Sequence, residues 1–213
     1  MNILAIGAHL DDIELACGGI LAKAVKEGHK VKMVVMTDSS YQNFDGTVLR
    51  TVDEAMTEGR AAAKKLGVED LVVLNFPNKN VPYNGSTVES LDAIMSEFKP
   101  DYIFTHWIFD THQDHKNTAQ STISAARYMY NIFMYEPIPP SGRSYHPFRA
   151  QVYFDISDTI DQKLESLKEH RSQHAKYGEQ WIEAVEGRAK IRGFENGCKY
   201  AEAFEAVRVS LKI

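Results

Sequence analysis

Two short stretches of this chain concentrate the residue types that carry out hydrolytic chemistry. In the first, Gly7-Ala8-His9-Leu10-Asp11-Asp12-Ile13-Glu14, a histidine and two adjacent carboxylates stand directly behind the apolar run Ile3-Leu4-Ala5-Ile6. Adjacent carboxylates repel, and buried charge needs a partner or a metal, so the turn is costly unless something compensates. A histidine and a carboxylate spaced i, i+3, here His9 and Asp12, can reach one cation and leave Asp11 free for proton transfer. The second stretch, Thr111-His112-Gln113-Asp114-His115, adds two histidines around an aspartate. Catalytic zinc takes three protein ligands and a water whose pKa falls to about 7, and two histidines with one carboxylate fit that ligand set.

The elements that must bring these stretches together are legible in the apolar pattern. Continuous apolar runs of strand length at Ile3–Ala8, Val31–Met36, Leu71–Phe76 and Asp101–Thr105 read as strands covered on both faces, as in a parallel sheet. Between them, helical periodicity predicts helices over 13–26, 50–66 and 87–98, and a fourth follows over about 117–130. Gly18 and Gly19 weaken the first helix and allow close approach to the sheet or to a ligand. Prolines make 135–142 a loop over the surface or the site. Beyond it the pattern predicts a strand over 151–156, helices over 159–170 and 179–192, and a last strand over 203–211. The strand–helix alternation predicts a three-layer, Rossmann-like α/β sandwich with a mostly parallel sheet, a single domain over 1–213. Ligands in such sheets sit beyond the strand carboxyl ends, which is where His9, Asp38 and His106–His115 fall.

Composition narrows the function classes. The 213 residues carry a formal net charge of -5, with 44% hydrophobic and 25% charged residues, as in an ordinary globular protein. Lys and Arg are scattered among acids, which argues against a nucleic-acid partner. No run approaches the ~20 apolar residues of a membrane span, and no signal peptide is visible at the start. Cys17 and Cys198 lack metal or redox spacing and read as free thiols, so a cytoplasmic location is expected.

The two motifs together resemble the PIG-L/LmbE-like family of zinc-dependent N-deacetylases, which remove acetyl groups from N-acetylglucosamine-type sugars and their conjugates. The family's Ala-His-Pro-Asp-Asp is matched by Ala8-His9-Leu10-Asp11-Asp12, and its His-x-Asp-His by His112-Gln113-Asp114-His115. The glycine pair Gly18-Gly19 and the helix ending at Ala63, Leu66 and Gly67 are similar too. The resemblance implies Zn²⁺, or another divalent metal such as Fe²⁺, held by His9, Asp12 and His115. It implies Asp11 as general base and His112 as the residue that stabilises the oxyanion or protonates the leaving amine. Asp114 would orient His112. The partner it implies is a small N-acetylated sugar or sugar conjugate.

Two positions depart from the pattern. Leu10 stands where the motif has proline, which loses a fixed φ but no ligand. Ala55 stands where many members carry an arginine, with Arg50, Arg60 and Arg143 as candidate replacements. Asp38 and Asp110 are candidate substrate contacts, each equally a turn or loop aspartate. Trp107, Tyr135 and Tyr145 could stack on a sugar but more often pack, and Arg127 reads as a salt bridge. His29, His146, His170 and His174 read as surface or packing residues, and Cys17 as packing behind the first motif. The proline-rich segment and the late helices are candidates for a homo-oligomer contact. A dinucleotide-binding module is disfavoured because G-x-G-x-x-G is absent and carboxylates stand where phosphates would sit. A Mg²⁺ phosphoesterase would use more oxygen ligands. A non-catalytic or differently specialised member of the fold is the remaining alternative.

Overall fold

The computed structural model describes residues 1–210, so Leu211, the end of the expected last strand, lies outside the described residues. The chain runs β1 (Asn2–Gly7), α1 (Asp12–Lys26), β2 (Lys30–Thr37), β3 (Tyr41–Gln42), β4 (Val48–Arg50), α2 (Val52–Lys65), β5 (Asp70–Phe76) and α3 (Gly85–Phe98). It continues through β6 (Tyr102–Thr105), α4 (Gln113–Ala125), β7 (Ile132–Tyr135), β8 (Val152–Asp155), α5 (Ile160–Lys168), α6 (Arg171–Tyr177), α7 (Glu179–Asn196) and β9 (Ala201–Arg208). Seven strands form one sheet in the order β5-β2-β1-β6-β7-β9-β8. The first five of that order are parallel. β9 runs antiparallel to both its neighbours, which leaves the sheet mostly parallel as expected.

The continuous apolarity of β1 has a simple origin. Ile3 and Ala5 enter a core shared with Ile13 and Leu21 of α1 and Ala55 and Ala63 of α2. Leu4 and Ile6, on the opposite face, enter a second core with Leu91 and Met95 of α3 and Ala125 of α4. The strand order reverses between β1 and β6, and such a reversal opens a crevice beyond the carboxyl ends of the two strands. The turns after β1 and β6 carry His9 and His106 into that crevice.

Some elements differ from the sequence reading. α4 begins at Gln113 rather than near Asn117, because His112 caps it and the polar His-x-Asp-His run forms its first turn. β7, α6 and the short β3–β4 ribbon went unread; each is four residues or fewer per strand, or, for α6, a single polar heptad. Among the described residues no helix is long and apolar enough to cross a membrane.

α1 is broken at Cys17, where φ is -136° and ψ 17°. The amides of Gly19 and Ile20 donate instead to the Glu202 carboxylate of β9, at 2.9 and 2.8 Å. Glu202 is also paired with the buried Lys163. At the break Gly19 packs so tightly that an added Cβ would lie 2.7 Å from Ile156. Gly19→Ala is therefore expected to destabilise the fold by about 1–3 kcal/mol through overpacking, read as a lower urea midpoint at unchanged slope.

Candidate active site

β1 stops at Gly7, the chain turns over His9-Leu10-Asp11, and α1 begins at Asp12. The His9 amide donates to Asp12 Oδ2 at 2.7 Å, which closes the turn on itself. His9 Nδ1 lies 3.2 Å from Asp12 Oδ2, and His9 Nε2 lies 3.1 Å from Asp114 Oδ2. From α4, His115 Nε2 comes within 3.2 Å of His9 Nδ1 and 3.4 Å of Asp12 Oδ1. His115 Nδ1 rests on Asp110 Oδ2 at 3.0 Å. Side chains about a hundred positions apart in sequence thus converge on one point at the switch in strand order.

Charge explains the protonation pattern. Burial opposes charging of Asp12, but His115, His106 and His9 hold its carboxyl well below the usual range. Burial likewise opposes a charged His9, yet the Asp12 charge and the Asp114 and Asp12 contacts lift it to about 9. His115, lifted against burial by Asp12 and Asp110, reaches about 10. Three ionised aspartates around two imidazoles make a pocket that demands positive charge, whether from protons or from a cation.

The expected site residues do not all take their expected partners. Asp114 holds His9, not His112: its carboxylate accepts from His9 and from the amides of Lys79 (2.6 Å) and Val81 (3.0 Å). Its own amide donates to His112 Nδ1 at 3.2 Å. The physical reason is the cap, since a side chain at the first turn of α4 faces away from the N-cap ring. Asp110 lines the cavity but is spent on His115 and on the His112 amide (2.9 Å), so it orients a ring in place of a free substrate contact. Asp38 lies outside the cavity lining and closes a turn, accepting from the Ser40 amide and hydroxyl, both at 2.9 Å. Trp107 is buried with its indole N–H on Glu205, and Tyr145 is exposed; only Tyr135 of the three aromatics lines the cavity.

One residue of the site, His106, has no role in the sequence reading, and others take more specific ones. His106 accepts the Ala8 amide on Nε2 at 2.9 Å, lies 3.1 Å from Asp12 and stacks on His115 with ring centroids 4.0 Å apart. Its place directly after β6, matching His9 after β1, was the available signal. Arg50, offered as one replacement for the missing arginine, is buried on the cavity wall, paired with Glu58 at 3.0 Å and donating to the Leu10 carbonyl at 3.1 Å. Arg60 and Arg143 are exposed and away from it. His170 is fully buried, 3.2 Å from Glu14, and so belongs to a charged network rather than to simple packing. Asp11 takes the strained φ of 147° at the cap, and burial followed by the Asp12 charge pushes its carboxyl up to about 6.

The cavity is about 410 Å³. Glu136–Ser141 forms one wall, and Gln173, Lys176, Tyr177 and Trp181 from α6 and α7 form another. The proline-rich segment therefore lies over the site. Glu136 anchors it through Arg192, at 2.6 and 2.8 Å, and Arg188 donates to the Pro137 carbonyl at 3.0 Å.

Fold and site together define an α/β protein with a candidate metal centre of histidine and aspartate at its topological switch point. The family model for PIG-L, the GlcNAc-PI de-N-acetylases, matches residues 4–126, and the chain belongs to that family. It is 34% identical over 178 residues to the uncharacterized deacetylase YaiS of Escherichia coli K12, covering 80% of this chain and 91% of that one. It is 25% identical to the diacetylchitobiose deacetylase of Thermococcus kodakarensis, over 97% of this chain and 83% of the relative. Among solved structures, GalB, the 4-carboxy-2-hydroxymuconate hydratase of Pseudomonas putida KT2440, superposes with a TM-score of 0.81 at 18% identity, covering 100% of this chain and 99% of that one. That likeness shows the fold alone.

Because Asp114 both fixes the His9 ring and satisfies two backbone amides, Asp114→Ala is expected to weaken binding of divalent metal about 10–100-fold. Competition with a chromophoric chelator measures it.

Proposed function

We propose that the protein is a metal-dependent hydrolase that deacetylates an N-acetyl amino sugar or sugar conjugate. The observation that carries this reading is the convergence of His9 Nδ1 and His115 Nε2, 3.2 Å apart, on the Asp12 carboxylate, whose Oδ2 lies 3.2 Å from His9 and whose Oδ1 lies 3.4 Å from His115. Donors on a tetrahedral zinc with bonds of 2.0–2.1 Å lie about 3.3 Å apart, which is the spacing of the two histidine nitrogens and of each nitrogen from its nearer Asp12 oxygen. Two other triples also lie within reach of a cation, His9/His112/His115 and Asp12/His106/His115. The hydrogen bonds favour the first set over these. His106 Nε2 already accepts the Ala8 amide, and His112 Nδ1 accepts the Asp114 amide, which leaves a proton on the other nitrogen of neutral His112. His9 and His115 each rest one nitrogen on a carboxylate, so that a cation displacing the proton on the other nitrogen would find it already oriented for a ligand bond.

A divalent ion held there supplies Lewis acidity, acidifying a water and polarising an amide carbonyl. The protein's own groups do the rest. Asp11 faces the same cavity with a carboxyl lifted toward neutrality, the condition for taking a proton and returning it. Burial and the charge on His115 push His112 down to about 4, so it works as a neutral N–H donor to a developing oxyanion. Among the two roles open to His112, the neutral ring favours the first. Burial at the cavity floor lets these groups act at low dielectric.

A differently specialised member of the fold is the second reading, since the same fold is found in a hydratase. Asp11 weighs against a merely metal-binding descendant, because a second carboxylate beside Asp12 is a liability that only proton transfer repays.

Asp11→Asn is expected to keep stoichiometric metal and lose at least ~10²-fold in turnover. Near-normal turnover would remove the base assignment. His115→Ala, by contrast, should lose metal, shown by elemental analysis after dialysis. A screen of N-acetylglucosamine, N,N′-diacetylchitobiose and nucleotide-linked N-acetyl sugars, scored by released primary amine with Zn²⁺ or Fe²⁺ present, tests the substrate class. Release from none of them moves the weight to the second reading.

A further inference from the structure

The turn that carries His9, Asp11 and Asp12 is strained at Asp11, and strain of this kind persists only where the surroundings over-determine it. What holds it is concentrated on one residue, Leu10, the position where the related motif has proline. Proline would have no N–H to satisfy, whereas Leu10 brings one into a buried place. That amide donates to Ser39 Oγ at 2.9 Å. The Leu10 carbonyl accepts from Arg50 Nη1 at 3.1 Å. Its side chain fills space against Gly59 of α2, where an added Cβ would collide with the Leu10 side chain. Ser39 is itself buried, takes a φ of 56°, and lies against Thr37, whose hydroxyl donates to the Ala8 carbonyl at 2.7 Å.

We propose that Ser39 and Arg50 are positioning residues that clamp the Leu10 peptide by its N–H and its C=O, so fixing Asp11 in its strained conformation and His9 and Asp12 at ligand spacing. The inference rests on the metal and base roles argued above for those three residues. The clamp does for this chain what a fixed φ does in the proline version of the motif. Ser39 and Arg50 come from the ends of β2 and β4, so the loop between these strands, which also carries Tyr41 to the cavity, is tied to the geometry of the metal half-site. Neither residue needs to touch substrate to matter for the reaction.

The test is a double-mutant cycle on the full chain with two readouts, amide exchange and Zn²⁺ affinity. Ser39→Gly suits the positive φ and removes the hydroxymethyl group whose oxygen accepts the Leu10 amide. It is expected to speed hydrogen exchange of the Leu10 amide at least ~10-fold and to weaken Zn²⁺ binding by about 10-fold, the lower end of what outer-shell partners contribute. In a Leu10→Pro background, where no N–H remains, the same Ser39→Gly change should alter Zn²⁺ affinity less than ~2-fold. An equal loss in both backgrounds, or an unchanged Leu10 amide, overturns the proposal. Should Leu10→Pro not fold, Arg50→Met serves as the second arm. Glu58 then still accepts from the Ser172 amide and hydroxyl, at 2.8 and 2.7 Å, so no buried carboxylate is stranded. Zn²⁺ affinity about 10-fold weaker supports the clamp, and parental affinity counts against it. The base assignment fails separately, through an active Asp11→Asn, since the cycle reads the turn and the metal but not the reaction. If the parent binds no Zn²⁺, the metal reading falls and amide exchange alone decides whether the clamp exists.

Discussion

One buried carboxylate sets the terms for the whole site. Asp12 sits at the first turn of α1 with three imidazoles within 3.4 Å of its oxygens and the His9 amide on one of them. A charge in such a place survives only if every neighbour is held in orientation, because the attraction that offsets desolvation falls quickly with misplacement. The two rings that would share a cation with Asp12 are therefore each fixed from behind by a second carboxylate, His9 by Asp114 and His115 by Asp110. Those carboxylates are fixed in turn by backbone amides of the loop after β5 and of His112. The sheet reversal between β1 and β6 provides the crevice, but the chain of hydrogen-bonded acids gives it directional ligands.

Much of this was open to sequence reasoning, for a physical reason. The parallel strands are buried on two faces, so they are apolar without interruption, and polar residues crowd where they end. His9, Asp12 and His115 stand out because histidine and aspartate are expensive at the end of a buried strand or the start of a packed helix. The partners of Asp114 and Asp110 were not open in the same way. Which ring an aspartate holds depends on whether its neighbour is a helix cap or a first-turn residue, and that follows from where α4 begins, a boundary the polar pattern hides. His170 gave no signal at all, since its partner Glu14 lies far off in sequence and neither sits at a strand end.

The walls of the cavity follow different rules from its floor. The floor comes from β1, β6 and their helices, within the span matched by the family model. Much of the wall comes from the proline-rich segment and from α6 and α7, which lie beyond that span. Binding residues concentrate on segments that a rigid scaffold positions, and here the Arg188 and Arg192 contacts with Glu136 and Pro137 make one such segment part of the scaffold. The residues proposed to bind metal and move protons thus lie within the span of the family model, while much of the cavity wall lies beyond it.

The break in α1 has a consequence for the order in which the molecule is made. The helix that begins with Asp12 borrows a carboxylate from Glu202, 183 residues further along, to satisfy its Gly19 amide. On a ribosome that emits the chain from its first residue, the strand bearing Glu202 emerges long after β1, α1 and their neighbours have been able to associate. Until it arrives, the interior of α1 lacks an acceptor and the buried Lys163 lacks its counter-charge. The helix that opens the site is accordingly complete only once β9 has been made and paired with it.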